Sequence, residues 1–198
     1  MRTKLHLGAF NSPVEGWVNT DITPHIWISR VPFFADIIHR LGKMTDERLE
    51  EHRHGIFRKL TYLNLYKSFP YDDNTFTSVF SSHVFEHLFP SRVPRVLHEI
   101  HRVLKPGGVV RIVVPSLEKY IKEYTPENPE KMLSAVFEHQ AGVKNRHQWM
   151  YTEQSLVRLL LENGFKDAKA CLYREGECED LEQIDNRPEN SIYVEAKK

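Results

Sequence analysis

Short apolar runs alternate with amphipathic stretches along most of the chain. The runs LTYLNL (60–65) and TSVFSS (77–82) have the length and composition of strands. The stretch 91–108 has apolar residues at helical spacing, a possible cap at Ser91 and a Pro-Gly-Gly stop. It leads into VVRIVVP (109–115), an almost continuous apolar run. Such a run is typical of a strand buried on both faces of a parallel sheet that is covered by helices.

The C-terminal half continues this alternation. Helical spacing recurs in 116–124, in 128–139 and in TEQSLVRLLLENGF (152–165), whose opening threonine can cap the helix. Two further strand candidates, AKACLYRE (168–175) and NSIYVEAKK (190–198), stand on either side of a polar, acidic connection. We therefore predict an α/β protein with a mostly parallel sheet and an antiparallel C-terminal strand pair.

The N-terminal part is harder to interpret. Two strand candidates, KLHLGAF (4–10) and WVNTDI (17–22), are separated by a turn-rich segment. They form either a hairpin or neighbouring parallel strands, although a crossover helix hardly fits between them. A helix is predicted at 32–42 with its apolar residues on one face, and a second at 45–60 lying on the surface with Thr45 as its N-cap.

Composition excludes several classes of protein. The chain has 198 residues, of which 40% are hydrophobic, and its 27 basic residues balance 27 acidic ones. This length predicts one domain, and the charge balance gives no field that would attract nucleic acid or anionic lipid. No targeting leader or apolar membrane span is visible, so we expect a cytoplasmic protein that does not bind membranes. Two cysteines give no disulfide framework, and reduced thiols are expected.

The stretch SSHVFEHL (81–88) contains the zinc-peptidase string H-x-x-E-H. That motif needs one helix that carries both His83 and His87, with Glu86 as base, and a further ligand from downstream. The residues before His83 are strand-like, and Pro90 follows closely, so this helix is not expected. We predict no metal site here, and a zinc hydrolase remains the weakest functional alternative.

The order of several segments points to a family. KLHLGAF, GWVNTDI, FPYDDNTFTSVFSSHVFEHL and LHEIHRVLKPGGVVRIVVP together resemble class I S-adenosylmethionine-dependent methyltransferases, particularly small bacterial-type ones. HQWMYTEQSLVRLLLENGF and SIYVEAKK resemble the end of such domains, so nearly the whole chain is covered. The resemblance implies a Rossmann-like, doubly wound sheet with helices on both faces. It also implies a single domain, 1–198, with helical insertions at about 24–59 and 116–146 covering the acceptor side.

The resemblance places a cofactor site at the carboxyl ends of the first two strands. Gly8 would let the backbone approach the amino acid tail of S-adenosylmethionine, and Asp21 would accept the ribose hydroxyls. The loop reads Gly8-Ala9-Phe10 where the family usually has G-x-G. Either Phe10 turns outward and the loop takes another path, or cofactor binding is weakened or lost.

Further site residues are expected after the third and fourth strands. Asn64 and Leu65 stand where the family often contacts adenine, and His83 would line the pocket near the methionine part. Histidine titrates near neutral pH, so His83, His87 and His147 are the candidate bases for an acceptor that must lose a proton. An aromatic and histidine-rich cluster from His147 to Tyr151 either lines an acceptor pocket or packs in the core.

The function implied by the resemblance is methyl transfer to a small-molecule or sugar-like acceptor, with S-adenosylmethionine as cofactor. The alternative is a protein of the same fold that has lost cofactor binding and acts as a binding or scaffold subunit, with Phe10 and Asn64 as signs of the loss. Exposed aromatic surface is compatible with a homodimer. The acceptor itself is not specified by the sequence.

Overall fold

The computed structural model of the chain describes residues 3–137, 147–188 and 190–198, so residues 138–146 of the predicted insertion 116–146 lie outside the described residues. Strands and helices alternate over much of its length. The strands are β1 (Lys4–Leu7), β2 (Val18–Asp21), β3 (Leu60–Tyr62), β4 (Phe76–Ser82), β5 (Leu104–Pro115), β6 (Lys166–Cys171) and β7 (Ser191–Lys197). The helices are α1 (His25–Ile28), α2 (Phe34–Arg40), α3 (Asp46–Arg53), α4 (Val93–Val103), α5 (Leu117–Glu123), α6 (Pro129–Phe137), α7 (Glu153–Glu162) and α8 (Leu181–Ile184).

The seven strands of the described residues form one sheet, in the order β3-β2-β1-β4-β5-β7-β6. The first five strands in this order pair in parallel, whereas β7 is antiparallel to both β5 and β6. The predicted mostly parallel sheet with an antiparallel C-terminal pair is therefore confirmed. The chain reverses its direction of winding between β1 and β4, which is the point at which sheets of this kind bind ligands at their carboxyl edge.

The pairing of β1 with β2 decides between the hairpin and the parallel arrangement that the sequence left open. The two strands are parallel, with Leu5 opposite Val18 and Leu7 opposite Thr20, so the hairpin alternative is wrong. The connection of residues 8–17 contains no helix. Instead the fully buried Trp17 packs edge-on against Phe80, with 6.4 Å between ring centroids. A bulky side chain thus covers the face on which a crossover helix would otherwise lie.

One face of the sheet packs against α4 and α7. Leu97 and Ile100 of α4 and Leu156 and Leu160 of α7 are fully buried with the apolar residues of β5 in the larger of the core clusters. Thr152 caps α7, as predicted, by accepting the Ser155 N–H. The predicted cap of α4 at Ser91 is wrong: residues Pro90–Arg92 form a 3-10 turn, and α4 starts at Val93 without a side-chain cap.

The opposite face is covered by α8 and the connection around it. Arg111 of β5 is fully buried there and forms ion pairs with Asp185 and with Glu195. Burial opposes the charge on Arg111, but these two carboxylates outweigh that effect and raise the pKa of the guanidinium. The buried ion pairs fasten the acidic connection between β6 and β7 to the sheet.

The segment 24–59 carries α1, α2 and α3 between β2 and β3. Thr45 accepts the Arg48 N–H and caps α3, as predicted. The apolar face predicted for 32–42 is not buried, since Phe33 is 79% and Leu41 is 70% exposed. Helical spacing thus predicted which residues share a face of this helix but not that the ends of that face would be exposed to solvent. None of the helices in the described part of the chain is long and apolar enough to cross a membrane.

Candidate functional site

The loop after β1 is shaped by a close approach between two residues. Gly8 has a φ of +71°, and a Cβ at this position would lie 2.3 Å from Cγ2 of Val84, at the carboxyl end of β4. Only glycine allows both this backbone conformation and this contact. Ala9 continues the ladder by donating its N–H to the Thr20 carbonyl at 2.9 Å, so the loop is held firmly against β2.

Phe10 stands where the G-x-G pattern has its second glycine, and the structure shows where its side chain lies. It adopts the left-handed conformation itself, with a φ of +39°, which is unfavourable for a bulky residue. Its ring packs 6.0 Å from that of Phe57, and the Arg48 guanidinium lies 4.4 Å from the ring centroid. Contacts with the 24–59 segment thus hold the side chain and compensate for the backbone strain.

Asp21 lies at the end of β2, next to this loop. Its Oδ2 accepts the Phe10 N–H at 3.0 Å, and its Oδ1 accepts the Thr23 N–H at 2.7 Å. Burial raises the pKa of this carboxyl, although the backbone hydrogen bonds work in the opposite direction. The Ile22 N–H is a third backbone donor to this carboxyl. A carboxylate has about four acceptor positions, so three backbone hydrogen bonds leave it able to accept a further hydroxyl.

The two residues predicted to contact adenine lie in the loop after β3. The predicted strand 60–65 ends at Tyr62, which places both Asn64 and Leu65 beyond it. Asn64 accepts the Tyr66 N–H through Oδ1 at 2.9 Å, and Leu65 packs against the larger core cluster. Asn64 therefore shapes its own turn, in addition to any contact with a ligand.

His83 follows β4 with a φ of +53°. Its backbone N–H donates to the Val113 carbonyl at 2.9 Å, and its Nε2 lies 3.0 Å from the hydroxyl of Ser191. Its Nδ1 lies 3.3 Å from Oε1 of Glu86. The imidazole therefore bridges the ends of β4 and β7, and it is still 30% exposed to solvent.

A second cluster lies one turn further along the chain. Glu86 and His87 belong to a 3-10 turn, Phe85–His87. The ring of His147 lies edge-on to that of His87, with 5.0 Å between centroids. Ligand atoms of Glu86, His87 and His147 all lie within 4.8 Å of one another. Two of the three candidate bases are thus brought together, while His83 contacts the same glutamate separately.

The long helix of a zinc peptidase is not formed at H-x-x-E-H, as expected, because His83 has a left-handed backbone and the helical turn has only three residues. The sequence reasoning selected His147 by residue type but did not place it beside Glu86. Of the aromatic cluster around it, Tyr151 is buried and Trp149 is 53% exposed. The core interpretation therefore holds for Tyr151 and is wrong for Trp149.

Comparison with known proteins finds a partial match to one family model and several structures of similar fold. Residues 36–112, less than half of the chain, match the family model of a methyltransferase domain. A methyltransferase of Thermotoga maritima, a possible histamine N-methyltransferase, is 15% identical, with a TM-score of 0.53 over 98% of this chain and 81% of that one. One from Archaeoglobus fulgidus is 16% identical, with a TM-score of 0.52 over 98% and 85%.

A third similar structure is a complex between the Haloferax volcanii Trm112 methyltransferase activator and a putative methyltransferase. It is 14% identical, with a TM-score of 0.52 over 98% of this chain and 81% of that one. At these identities the three structures establish the fold. The Rossmann-like arrangement inferred from the sequence is confirmed by them.

Proposed function

We propose that this chain is an active S-adenosylmethionine-dependent methyltransferase of class I that methylates a small-molecule or sugar-like acceptor. The partial family match and the strand order support this proposal. The observation that carries the proposal is the Asp21 carboxylate, which lies beside the Gly8–Phe10 loop at the switch point of the sheet. Its environment keeps it partly buried but not saturated with donors. Such a group suits a ribose diol.

The residues around Asp21 fit S-adenosylmethionine. Asp21 would hold the ribose, the loop of Gly8, Ala9 and Phe10 would face the amino acid tail, and Asn64 with Leu65 would border the adenine. The bound cofactor would supply a methyl group on a positively charged sulfur. The chain's own contribution is to hold the acceptor in line with that methyl group and to exclude water, which can account for much of the acceleration.

An acceptor hydroxyl or amine must also lose a proton. His83, His87 and His147 stand at the carboxyl end of β4 or beside it, and the contact of the His83 Nε2 with the Ser191 hydroxyl at 3.0 Å orients the His83 imidazole. We assign His83 as the first candidate base, with His87 and His147 as alternatives. The helical segments 24–59 and 116–146 would cover this side of the single domain 1–198 and shape the acceptor pocket.

Calorimetric titration with S-adenosylmethionine and S-adenosylhomocysteine tests the proposal, after mass spectrometry has checked for a bound ligand in the purified protein. We expect micromolar binding that Asp21→Asn weakens by about tenfold or more, because a charged acceptor is lost. Asp72→Asn is the matched control, since Asp72 is exposed near the start of β4, at the opposite edge of the sheet. No binding by the folded, ligand-free protein would support the alternative of a binding or scaffold subunit.

We also propose that the chain can form a homodimer. The exposed apolar face of α2, with Phe33 and Leu41 at its two ends, is compatible with a homodimer. Light scattering coupled to size-exclusion chromatography distinguishes a dimer from a monomer. The acceptor would then be sought among small hydroxylated compounds, because no basic stripe for nucleic acid is present in the sequence.

A further inference from the structure

A buried carboxyl group, that of Glu86, lies next to two imidazoles and has no hydrogen-bond donor among the described residues. Glu86 is 1% exposed, and neither of its side-chain oxygens accepts a hydrogen bond from the described residues. Nδ1 of His83 lies 3.3 Å from Oε1 but without hydrogen-bond geometry. Isolated burial of an ionised carboxylate is strongly unfavourable, so a partner for this charge is expected.

The chain holds His147 at this carboxylate by backbone hydrogen bonds. The Glu86 carbonyl accepts the N–H of Gln148 at 2.7 Å and that of Trp149 at 3.1 Å. A bridge between Ser116 and Tyr151 and the Leu117 N–H to Tyr151 carbonyl bond of 3.0 Å fasten the same segment a few residues later. Main-chain contacts from two sides therefore hold the segment that carries His147 beside Glu86 and His87.

We propose that Glu86, His87 and His147 form a binding site for one divalent transition-metal ion of the zinc class. Their ligand atoms, which lie within 4.8 Å of one another, combine one carboxylate and two imidazoles. This donor set suits zinc and its neighbours better than magnesium or calcium, which prefer oxygen ligands alone. The cation would neutralise the buried carboxylate that has no hydrogen-bond donor.

The site differs from the zinc-peptidase pattern in the sequence. His83 is not a ligand; it contacts Glu86 from the other side and would act as a neighbour that orients the carboxylate. Three protein ligands leave a coordination position for water or for a hydroxyl of a small molecule. If the proposed methyl transfer holds, an acceptor hydroxyl bound there would lose its proton more readily. Metal binding itself does not depend on the methyl transfer.

The test is metal binding by the full chain in the absence of S-adenosylmethionine. The protein is stripped with a chelator, dialysed and titrated with Co²⁺, whose visible absorption reports imidazole and carboxylate coordination, and then with Zn²⁺ against a chromophoric chelator. We expect one equivalent of either ion. Since loss of a mere orienting partner weakens metal sites by roughly 10- to 100-fold, His147→Ala and Glu86→Gln are expected to weaken binding at least tenfold.

Two controls locate the site. His98→Ala, at an exposed position of α4, is expected to bind like the unsubstituted chain. His83→Ala removes only an orienting neighbour, so it is expected to retain one equivalent and to lose less affinity than His147→Ala or Glu86→Gln. The half-buried position of His147 makes His147→Ala the safer variant if Glu86→Gln does not fold. Absence of stoichiometric Co²⁺ binding, or loss of binding in His83→Ala but not in His147→Ala, would overturn the proposal. Calorimetry with S-adenosylmethionine on the metal-free protein separates this outcome from a failure of the cofactor site.

Discussion

The backbone N–H of Phe10 donates a hydrogen bond to Oδ2 of Asp21 over 3.0 Å. Phe10 makes this bond in a left-handed conformation, and its ring is held in turn by Phe57 and Arg48. The residue that departs from the family's glycine pattern therefore supports the carboxylate on which the proposed cofactor site depends. Its side chain does not enter that hydrogen bond, so loop geometry and ring packing can be separated by mutation.

Phe10→Gly is expected to leave S-adenosylmethionine affinity within about threefold and to lower the free energy of unfolding by about 1–2 kcal/mol. The N–H donor remains, and the loss of apolar contacts exceeds the relief of backbone strain. Phe33→Gly is the matched control, because Phe33 also has a positive φ of 60° but is 79% exposed. Its stability should stay equal or rise. Calorimetry measures the affinity for S-adenosylmethionine, and urea unfolding measures the free energy of unfolding. A large loss of affinity in Phe10→Gly would contradict the inference that the Phe10 side chain is not needed for cofactor binding.

Gly8→Ala is expected to destabilise the protein by about 2–3 kcal/mol and to weaken cofactor binding, because the new methyl group meets Val84 at 2.3 Å. Gly42→Ala separates the two causes: Gly42 has a similar φ of +68° but nothing within 4 Å of the added Cβ, so only the conformational cost of about 1 kcal/mol applies. A double-mutant cycle tests the clash directly: urea unfolding is measured for Gly8→Ala, Val84→Ala and the double variant, with Gly42→Ala beside them. A double variant as unstable as the sum of its singles would rule out the clash.

The parallel core of the fold was predictable from local sequence, whereas the β1 to β2 connection was not. Continuous apolar runs such as 109–115 identify buried strands, and helical spacing with a Pro-Gly-Gly stop identifies α4. The connection of residues 8–17 departs from the usual length of a parallel crossover. Trp17 covers this part of the sheet together with the C-terminal connection, in one core cluster with Phe80 and Ile184. A single Trp gives no signal of such packing in a sequence.

The candidate site was predictable in its residue types but not in its contacts. Asp21 and Gly8 were selected through the resemblance and lie together at the carboxyl edge. The proximity of His147 to Glu86 depends on hydrogen bonds between segments that are distant in the chain. The conformation of Phe10 depends on a ring contact with Phe57 that no local pattern encodes.

Acid is expected to destabilise the protein well above the range in which carboxylates titrate. Burial lowers the pKa of His6 to about 4, since the contact of its Nδ1 with Asn19 at 3.2 Å only partly offsets desolvation. Burial, followed by the nearby His52 and Arg48, lowers the pKa of His25 to about 4 as well. The unfolded chain takes up protons below pH 6.5, while the folded chain does so only near 4. Stability therefore falls as the pH decreases between these values.

For His6 alone, the expected loss between pH 7 and pH 5 is about 2 kcal/mol. Urea unfolding at several pH values measures it. His6→Gln removes the titrating group and should flatten the pH dependence, whereas His98→Gln at an exposed position should leave it unchanged. An unaltered slope in His6→Gln would show that His6 does not carry the effect.

Arg111→Met is expected to lower the free energy of unfolding by about 3–5 kcal/mol, because Asp185 and Glu195 would keep buried charges without a cation. Arg53→Met is the surface comparison. Arg53 is 54% exposed in its pair with Asp36, so its loss should change stability by less than about 1 kcal/mol. Urea unfolding at neutral pH measures both.

Since the penalty arises from uncompensated charge, adding Asp185→Asn and Glu195→Gln to Arg111→Met should restore part of the stability. Failure of that triple variant to recover any would mean that lost packing around the guanidinium, not charge, dominates.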